Sequence, residues 1–225
     1  MNSEKGVILL AAGGTGGHLF PAEALAHLLL ERGYAPHLVT DARATRYTGQ
    51  FPAPVHVVSS ATPSGRNPFT LAAAGWSLFR GIRQSRALMT RLRPRAIVSF
   101  GGYPTVPPML AASAAGIPAV IHDANAVMGR ANRMLARTAQ IIAMGFAAAA
   151  RHDRAVVTGN PVRPAVIAAA RTAYPLRQAG DPFHLLVFGG SQGARYLAEV
   201  VPAALERLDP SRRALIRLVQ QARPE

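Results

Sequence analysis

A histidine at the end of a glycine-rich loop is the arrangement in this 225-residue chain with the clearest chemistry. The loop reads Gly13-Gly14-Thr15-Gly16-Gly17-His18 and follows the apolar run Val7–Ala12. A helical segment opening near Pro21 and stopping at Gly33 comes next. Strand, glycine loop and helix together present free backbone N–H groups to a phosphate. The wording of the loop excludes two familiar uses. A dinucleotide fingerprint needs glycine at its sixth position, and counting from Gly14 that position is Leu19. A phosphate-binding loop of the nucleotide triphosphatases needs a lysine, and this loop has none. What is left is a phosphate-facing loop of another kind, with a side chain that titrates near neutral pH where the helix begins.

The elements that must position this loop follow from the hydrophobic pattern. Strands are expected at 7–12, 36–40, 55–58, 96–100, 118–121, 140–143 and 155–158, and helices at 21–32, 69–92, 105–115 and 129–137. Such alternation predicts an α/β fold with a parallel sheet wrapped by helices. Gly159-Asn160-Pro161-Val162-Arg163-Pro164 reads as a linker, followed by a helical segment at 165–178. The opening theme then returns. Phe183–Phe188 is a strand, Gly189-Gly190-Ser191-Gln192-Gly193 a second glycine loop, 194–208 a helix and Ala214–Val219 a last strand. Two such units joined by a linker would form a cleft between their strand ends. The expected domains are 1–160 and 161–225, the second too short to close a doubly wound sheet.

Composition narrows the classes. The chain is 49% hydrophobic, so it can bury a sizeable core. It has no cysteine, which excludes disulfides and thiolate metal sites. No apolar run reaches the roughly 20 residues that span a bilayer, and the N-terminus does not read as a signal peptide. Net charge is +14, from 25 Lys and Arg against 11 Asp and Glu. Between Asp41 and Asp123 there is no acidic residue, yet Arg43, Arg46, Arg66, Arg80, Arg83, Arg86, Arg91, Arg93 and Arg95 fall there. A region of one sign suggests an anionic partner, and no nucleic-acid-binding signature accompanies it. No His, Asp or Glu spacing suggests a metal site, and no cofactor is expected.

Four motifs in order carry a family resemblance: Gly13–His18 with Phe20-Pro21, Gly101-Gly102-Tyr103-Pro104, Gly159-Asn160-Pro161-Val162-Arg163, and Gly189–Gly193 with Ala194-Arg195. Together the chain resembles the GT-B glycosyltransferases of peptidoglycan synthesis, over essentially all of its length. Those enzymes move N-acetylglucosamine from UDP-GlcNAc to undecaprenyl-pyrophosphoryl-MurNAc-pentapeptide, lipid I, forming lipid II. The family usually has Glu-Gln where this chain has Asp123-Ala124, between His122 and Asn125. Family members also continue beyond residue 225 by on the order of a hundred residues, so the resemblance implies a second domain present only in its first part.

The resemblance implies two Rossmann-like domains facing a cleft and transfer with inversion. His18 is the candidate general base toward the acceptor hydroxyl, or a positioning residue. Thr15, Gly16 and Gly17 would lie near the diphosphate or acceptor; a tight turn is the plainer use of these glycines. Asn125 would bond the transferred sugar or cap the next helix. Arg163 would neutralise the UDP diphosphate or remain a solvated linker residue, and Ser191 would contact the nucleotide phosphates. Residues 69–92 combine Trp76, Phe79 and Ile82 with Arg80, Arg83 and Arg86. Alone such a stretch reads as a core helix with a polar face; beside a lipid-linked acceptor it is expected to contact anionic phospholipid. The expected location is the cytoplasmic face of the cell membrane, peripherally bound, with cell-wall synthesis and division proteins as candidate partners. The rival readings are a GT-B transferase for another nucleotide sugar, and an inactive fragment that only binds lipid.

Overall fold

The computed structural model describes residues 5–61, 67–147, 152–178, 180–190 and 194–221, with the side chains of 45–47 excluded. The chain divides into two compact units, Met1–Ile167 and Ala168–Glu225.

The first unit is built on seven parallel strands: β1 (Val7–Ala11), β2 (Ala35–Thr40), β3 (Val55–Val57), β4 (Ala96–Ser99), β5 (Ala119–Asp123), β6 (Ile141–Met144) and β7 (Ala155–Val157). Their order is β3-β2-β1-β4-β5-β6-β7. Direction of winding reverses between β1 and β4, which makes the crevice past their C-terminal ends the place where such sheets bind ligands. The central strands are apolar up to their C-terminal ends, where Ser99, His122 and Asp123 stand, because helices cover both faces. Leu10, Leu38 and Phe100 pack on one side with Leu19, Ala22 and Ala26 of α1 (Gly16–Glu31). Leu9, Ile97, Ile121 and Ile142 pack on the other. There they meet Leu88 and Met89 of α2 (Pro68–Leu92), Met109 and Ala112 of α3 (Val106–Ala114) and Leu135 of α4 (Arg130–Leu135).

Local chemistry sets the helix limits. Asn67 caps α2 by accepting the Phe69 N–H at 2.9 Å, and Pro68 occupies the first turn, where its missing N–H costs nothing. The start of α1 differs from the expectation. It begins at Gly16, not near Pro21, because the Thr15 carbonyl accepts the N–H groups of His18 and Leu19, both at 3.1 Å. Pro21 therefore lies inside the helix, and His18 sits in its first turn.

The second unit holds a parallel pair, β8 (Phe183–Val187) and β9 (Ile216–Gln220), with α6 (Arg195–Glu206) and α7 (Pro210–Ala214) between them. The helical stretch expected at 165–178 is α5 (Pro164–Ala170), which runs across the division. Helix α7 was not expected. Asp209 caps it through the Ser211 N–H at 2.9 Å, which delays the last strand to Ile216. None of the described residues of 168–221 is buried. Leu186, Phe188 and Val219 are among its exposed large side chains.

Candidate active site

The loops after β1, β4 and β5 meet at the point where the winding reverses. Gly13 donates its N–H to the Gly101 carbonyl at 2.9 Å. A Cβ on Gly13 would lie 2.9 Å from both the Gly101 oxygen and the Gly102 Cα. Gly101 and Gly102 both have positive φ, at 91° and 84°. These glycines are required by close approach of two backbones, and the space they leave is filled by the His18 ring. That ring comes within 3.3 Å of Cβ positions on Gly13, Gly101 and Gly102.

His18 Nδ1 lies 2.9 Å from the Phe100 carbonyl. A carbonyl only accepts, so Nδ1 carries the proton and Nε2 keeps its lone pair. Burial pushes the imidazole below the usual histidine range, against the Phe100 carbonyl and the Asp123 charge, which pull upward. His18 is thus held neutral, in one tautomer, with a basic nitrogen available. Thr15 occupies the N-cap of α1 with no side-chain hydrogen bond to the helix. The capping position therefore leaves the first helical N–H groups without a hydroxyl partner, in the geometry that suits an anion.

Asp123, at the end of β5, organises the neighbouring loop. Its Oδ1 accepts the N–H and the Nδ2 of Asn125, both at 3.0 Å. Its Oδ2 accepts the Gly129 N–H at 2.8 Å and Asn132 Nδ2 at 3.0 Å. Asn132 Nδ2 also donates to the His122 carbonyl at 3.1 Å, and it lies 3.1 Å from a Cβ position on Gly101. The structure therefore brings His18 and Asn125 to one end of the sheet through Asp123 and Asn132. The shorter Asp at position 123 fits as a buried acceptor of four donors.

His122 points its Nε2 at the Gly159 carbonyl, 3.1 Å away, and its ring packs on Phe100 at 5.5 Å between centroids. Burial lowers its pKa, while the Gly159 carbonyl and Asp123 oppose that. Phe100 thus links both histidines: its carbonyl holds His18 and its ring supports His122.

Arg163 is brought to α1. Its guanidinium lies over the Phe20 ring at 3.8 Å and 3.7 Å from Glu23. This explains why Phe20 belongs with the glycine loop: it is a platform for a residue about 140 positions on. Ser191 lies outside the described residues, as do Gln192 and Gly193.

On α2, Trp76 is 68% exposed and Phe79 50%, and Arg80, Arg83 and Arg86 are exposed beside them. Ile82 does not share that face. It packs against the core, where Gly81 lets the helix approach Ser59 and Pro107. Helical spacing of apolar residues did not separate the inward stripe from the outward one, because both exist on this helix. Among the described residues no helix is long and apolar enough to cross a membrane, and no three His, Asp or Glu side chains cluster as metal ligands would.

Sequence reading missed Asn132, Asp123 as an organiser, and Asp41. Asp41 follows β2 beside Gly14 and is 4% exposed; its Oδ2 pairs with Arg43 at 2.6 Å. The signal available was position: an acidic residue closing the strand next to the glycine loop.

The chain is similar to known proteins along its whole length. It is 59% identical over 226 residues to the UDP-N-acetylglucosamine--N-acetylmuramyl-(pentapeptide) pyrophosphoryl-undecaprenol N-acetylglucosamine transferase of Sinorhizobium fredii, covering 99% of this chain and 60% of that protein. The protein of the same name from Rhizobium meliloti is 58% identical with the same coverage. This chain thus spans about 60% of the length of these curated relatives. Among solved structures, Acinetobacter baumannii MurG superposes with a TM-score of 0.71 at 26% identity, over 95% of this chain and 68% of that one. The kitacinnamycin glycosyltransferase, with a TM-score of 0.65 at 17% identity, shares the fold. The profile of the glycosyltransferase family 28 N-terminal domain matches residues 8–144, which run from β1 to the end of β6 and enclose His18, Asp123, Asn125 and Asn132. The chain belongs to glycosyltransferase family 28, and its seven-stranded unit is the N-terminal, Rossmann-like half of a GT-B fold.

Proposed function

We propose that this chain supplies the acceptor-binding part of an inverting transferase that moves N-acetylglucosamine from UDP-GlcNAc to the MurNAc 4-hydroxyl of lipid I. The observation that carries the reading is His18, neutral and fixed in one tautomer at the winding reversal of the sheet. The names and identities of the rhizobial relatives support the choice of substrates.

The chemistry follows from the arrangement. A sugar hydroxyl is a weak nucleophile until its proton is taken during attack. Its oxygen forms a bond to the anomeric carbon as the bond from that carbon to the diphosphate oxygen breaks. The electron pair leaves with UDP, and the hydroxyl proton passes to His18 Nε2. One in-line displacement inverts the anomeric centre. Thr15, Gly16 and Gly17, at the N-terminus of α1, receive negative charge of the acceptor diphosphate. Asn125, held through Asp123, bonds the transferred sugar. Arg163, pre-set on Phe20, and Ser191 answer the charge that develops on UDP. The exposed aromatic and arginine face of α2 rests peripherally on the anionic cytoplasmic leaflet, which holds the lipid-linked acceptor.

A chimera tests this. This chain replaces the matching 226-residue region of the Sinorhizobium fredii relative, and transfer to a lipid I analogue is followed with UDP-GlcNAc and with UDP-glucose. Transfer from UDP-GlcNAc that His18→Ala removes supports the reading. An intact chimera with no transfer, or one that prefers UDP-glucose, overturns it.

A further inference from the structure

Helix α2 places Leu71, Gly75 and Leu78 over the start of α3. With Tyr103, Val106 and Met134 they line an apolar groove of about 280 Å³, in which Tyr103 carries the sole polar side-chain group among the described lining residues. A dry cavity of ~150 Å³ lined by Leu, Ile and Phe holds a benzene ring. The groove therefore has room for roughly ten carbons of an extended chain.

Its surroundings say what kind of chain. One end is Tyr103, which directly follows Gly102, and the Gly102 Cβ position is 3.3 Å from the His18 ring. The groove thus opens beside the loop that receives the reacting group. The other end runs out along α2 at Leu71 and Gly75, which are exposed. Exposed arginines lie beside its Met134 wall: Arg130 and Arg137 are one turn either side of that residue. An apolar slot with arginines beside one wall and its Tyr103 end next to the glycine loops suits a molecule whose chain is attached directly to a diphosphate.

We propose that this groove holds the first isoprenoid units of the prenyl diphosphate acceptor, so that the chain next to the diphosphate, and not only the sugar, is recognised by this protein. This rests on the lipid-linked acceptor of the preceding section. A phospholipid acyl chain fits less well, because glycerol separates it from the phosphate and would hold that charge away from Tyr103 and the glycine loop.

The test uses the 225-residue chain. Binding is measured by isothermal titration calorimetry. Farnesyl diphosphate should bind at least about tenfold more tightly than inorganic pyrophosphate, because only the former buries a chain. A Cβ on Gly75 meets no atom within 4 Å, so a side chain there enters open space, and leucine favours the helix over glycine. Gly75→Leu should weaken farnesyl diphosphate at least about tenfold and leave pyrophosphate unchanged; Gly75→Ala should fall between. Equal affinities for the two ligands, an unaffected Gly75→Leu, or equal competition by dihexanoyl phosphatidylglycerol would each overturn the proposal. Binding is read without transfer, so an inactive chimera counts against the catalytic reading alone, and absent farnesyl binding beside an active chimera counts against the groove alone.

Discussion

Asp123→Asn probes the loop that carries Asn125 while keeping the size and shape of the side chain. Asp123 is 1% exposed, and each carboxylate oxygen accepts two donors. An amide keeps one oxygen. Whichever way it turns, two donors meet an NH2 group: either both from Asn125, or Gly129 N–H and Asn132 Nδ2. A hydrogen bond to a charged acceptor contributes about 1.5–3 kcal/mol, so two represent about 3–6 kcal/mol. Relief from burying a carboxylate offsets part of this, leaving a loss of about 3 kcal/mol. For a chain of this size that is a fall in Tm of roughly 6–12 °C. Thermal unfolding of the 225-residue chain followed by circular dichroism measures it. In the chimera the same substitution should raise KM more than it lowers kcat, because it loosens a binding loop and leaves His18 in place. A fall in Tm below about 2 °C would show that other contacts hold residues 124–132 and that Asp123 is not their organiser.

Other outcomes follow from the same geometry. His18→Ala should lower kcat of the chimera by about two to four orders of magnitude with little change in UDP-GlcNAc affinity; a loss under about tenfold removes the base assignment. Because burial depresses the His18 pKa, the acid limb of kcat/KM should lie below the ordinary histidine value of about 6.5, and a limb above it would contradict the neutral tautomer. Replacing Trp76 and Phe79 with Ser and Arg80, Arg83 and Arg86 with Gln should abolish salt-sensitive binding to anionic vesicles, whereas Ile82→Ser should lower Tm and spare that binding. Burial lowers the pKa of His18, His37, His56 and His122, so the unfolded chain takes up more protons than the folded one. Stability from these groups is present above about pH 6.5 and is lost as pH falls through their folded values, so the urea midpoint should be lower near pH 5 than near pH 7.5. Amide exchange should be slow in β1 and β4 and much faster in β8 and β9, whose unit buries none of its described residues; equal protection would refute this.

The parallel α/β plan was legible because its signals are local. Apolar runs such as Val7–Ala11 and Ile141–Met144, separated by helical periods and glycine stops, give strand and helix without knowledge of the partner. The glycine loop with His18 was legible for the same reason. Boundaries set by backbone hydrogen bonds were not: Pro21 suggested a helix start, while the Thr15 carbonyl begins α1 five residues earlier. Roles that depend on residues far apart in the chain were out of reach. Gly101 and Gly102 make sense only against Gly13, and the tautomer of His18 is set by a carbonyl 82 positions away. Asp123 becomes an organiser only when Gly129 and Asn132 turn back to it. On α2, composition gave the amphipathic character, but packing alone put Ile82 inward and left Trp76 and Phe79 exposed. Sequence records which side chains are available at local spacing; contacts across the sheet decide which are buried, which protons are fixed and which faces are left to meet a partner.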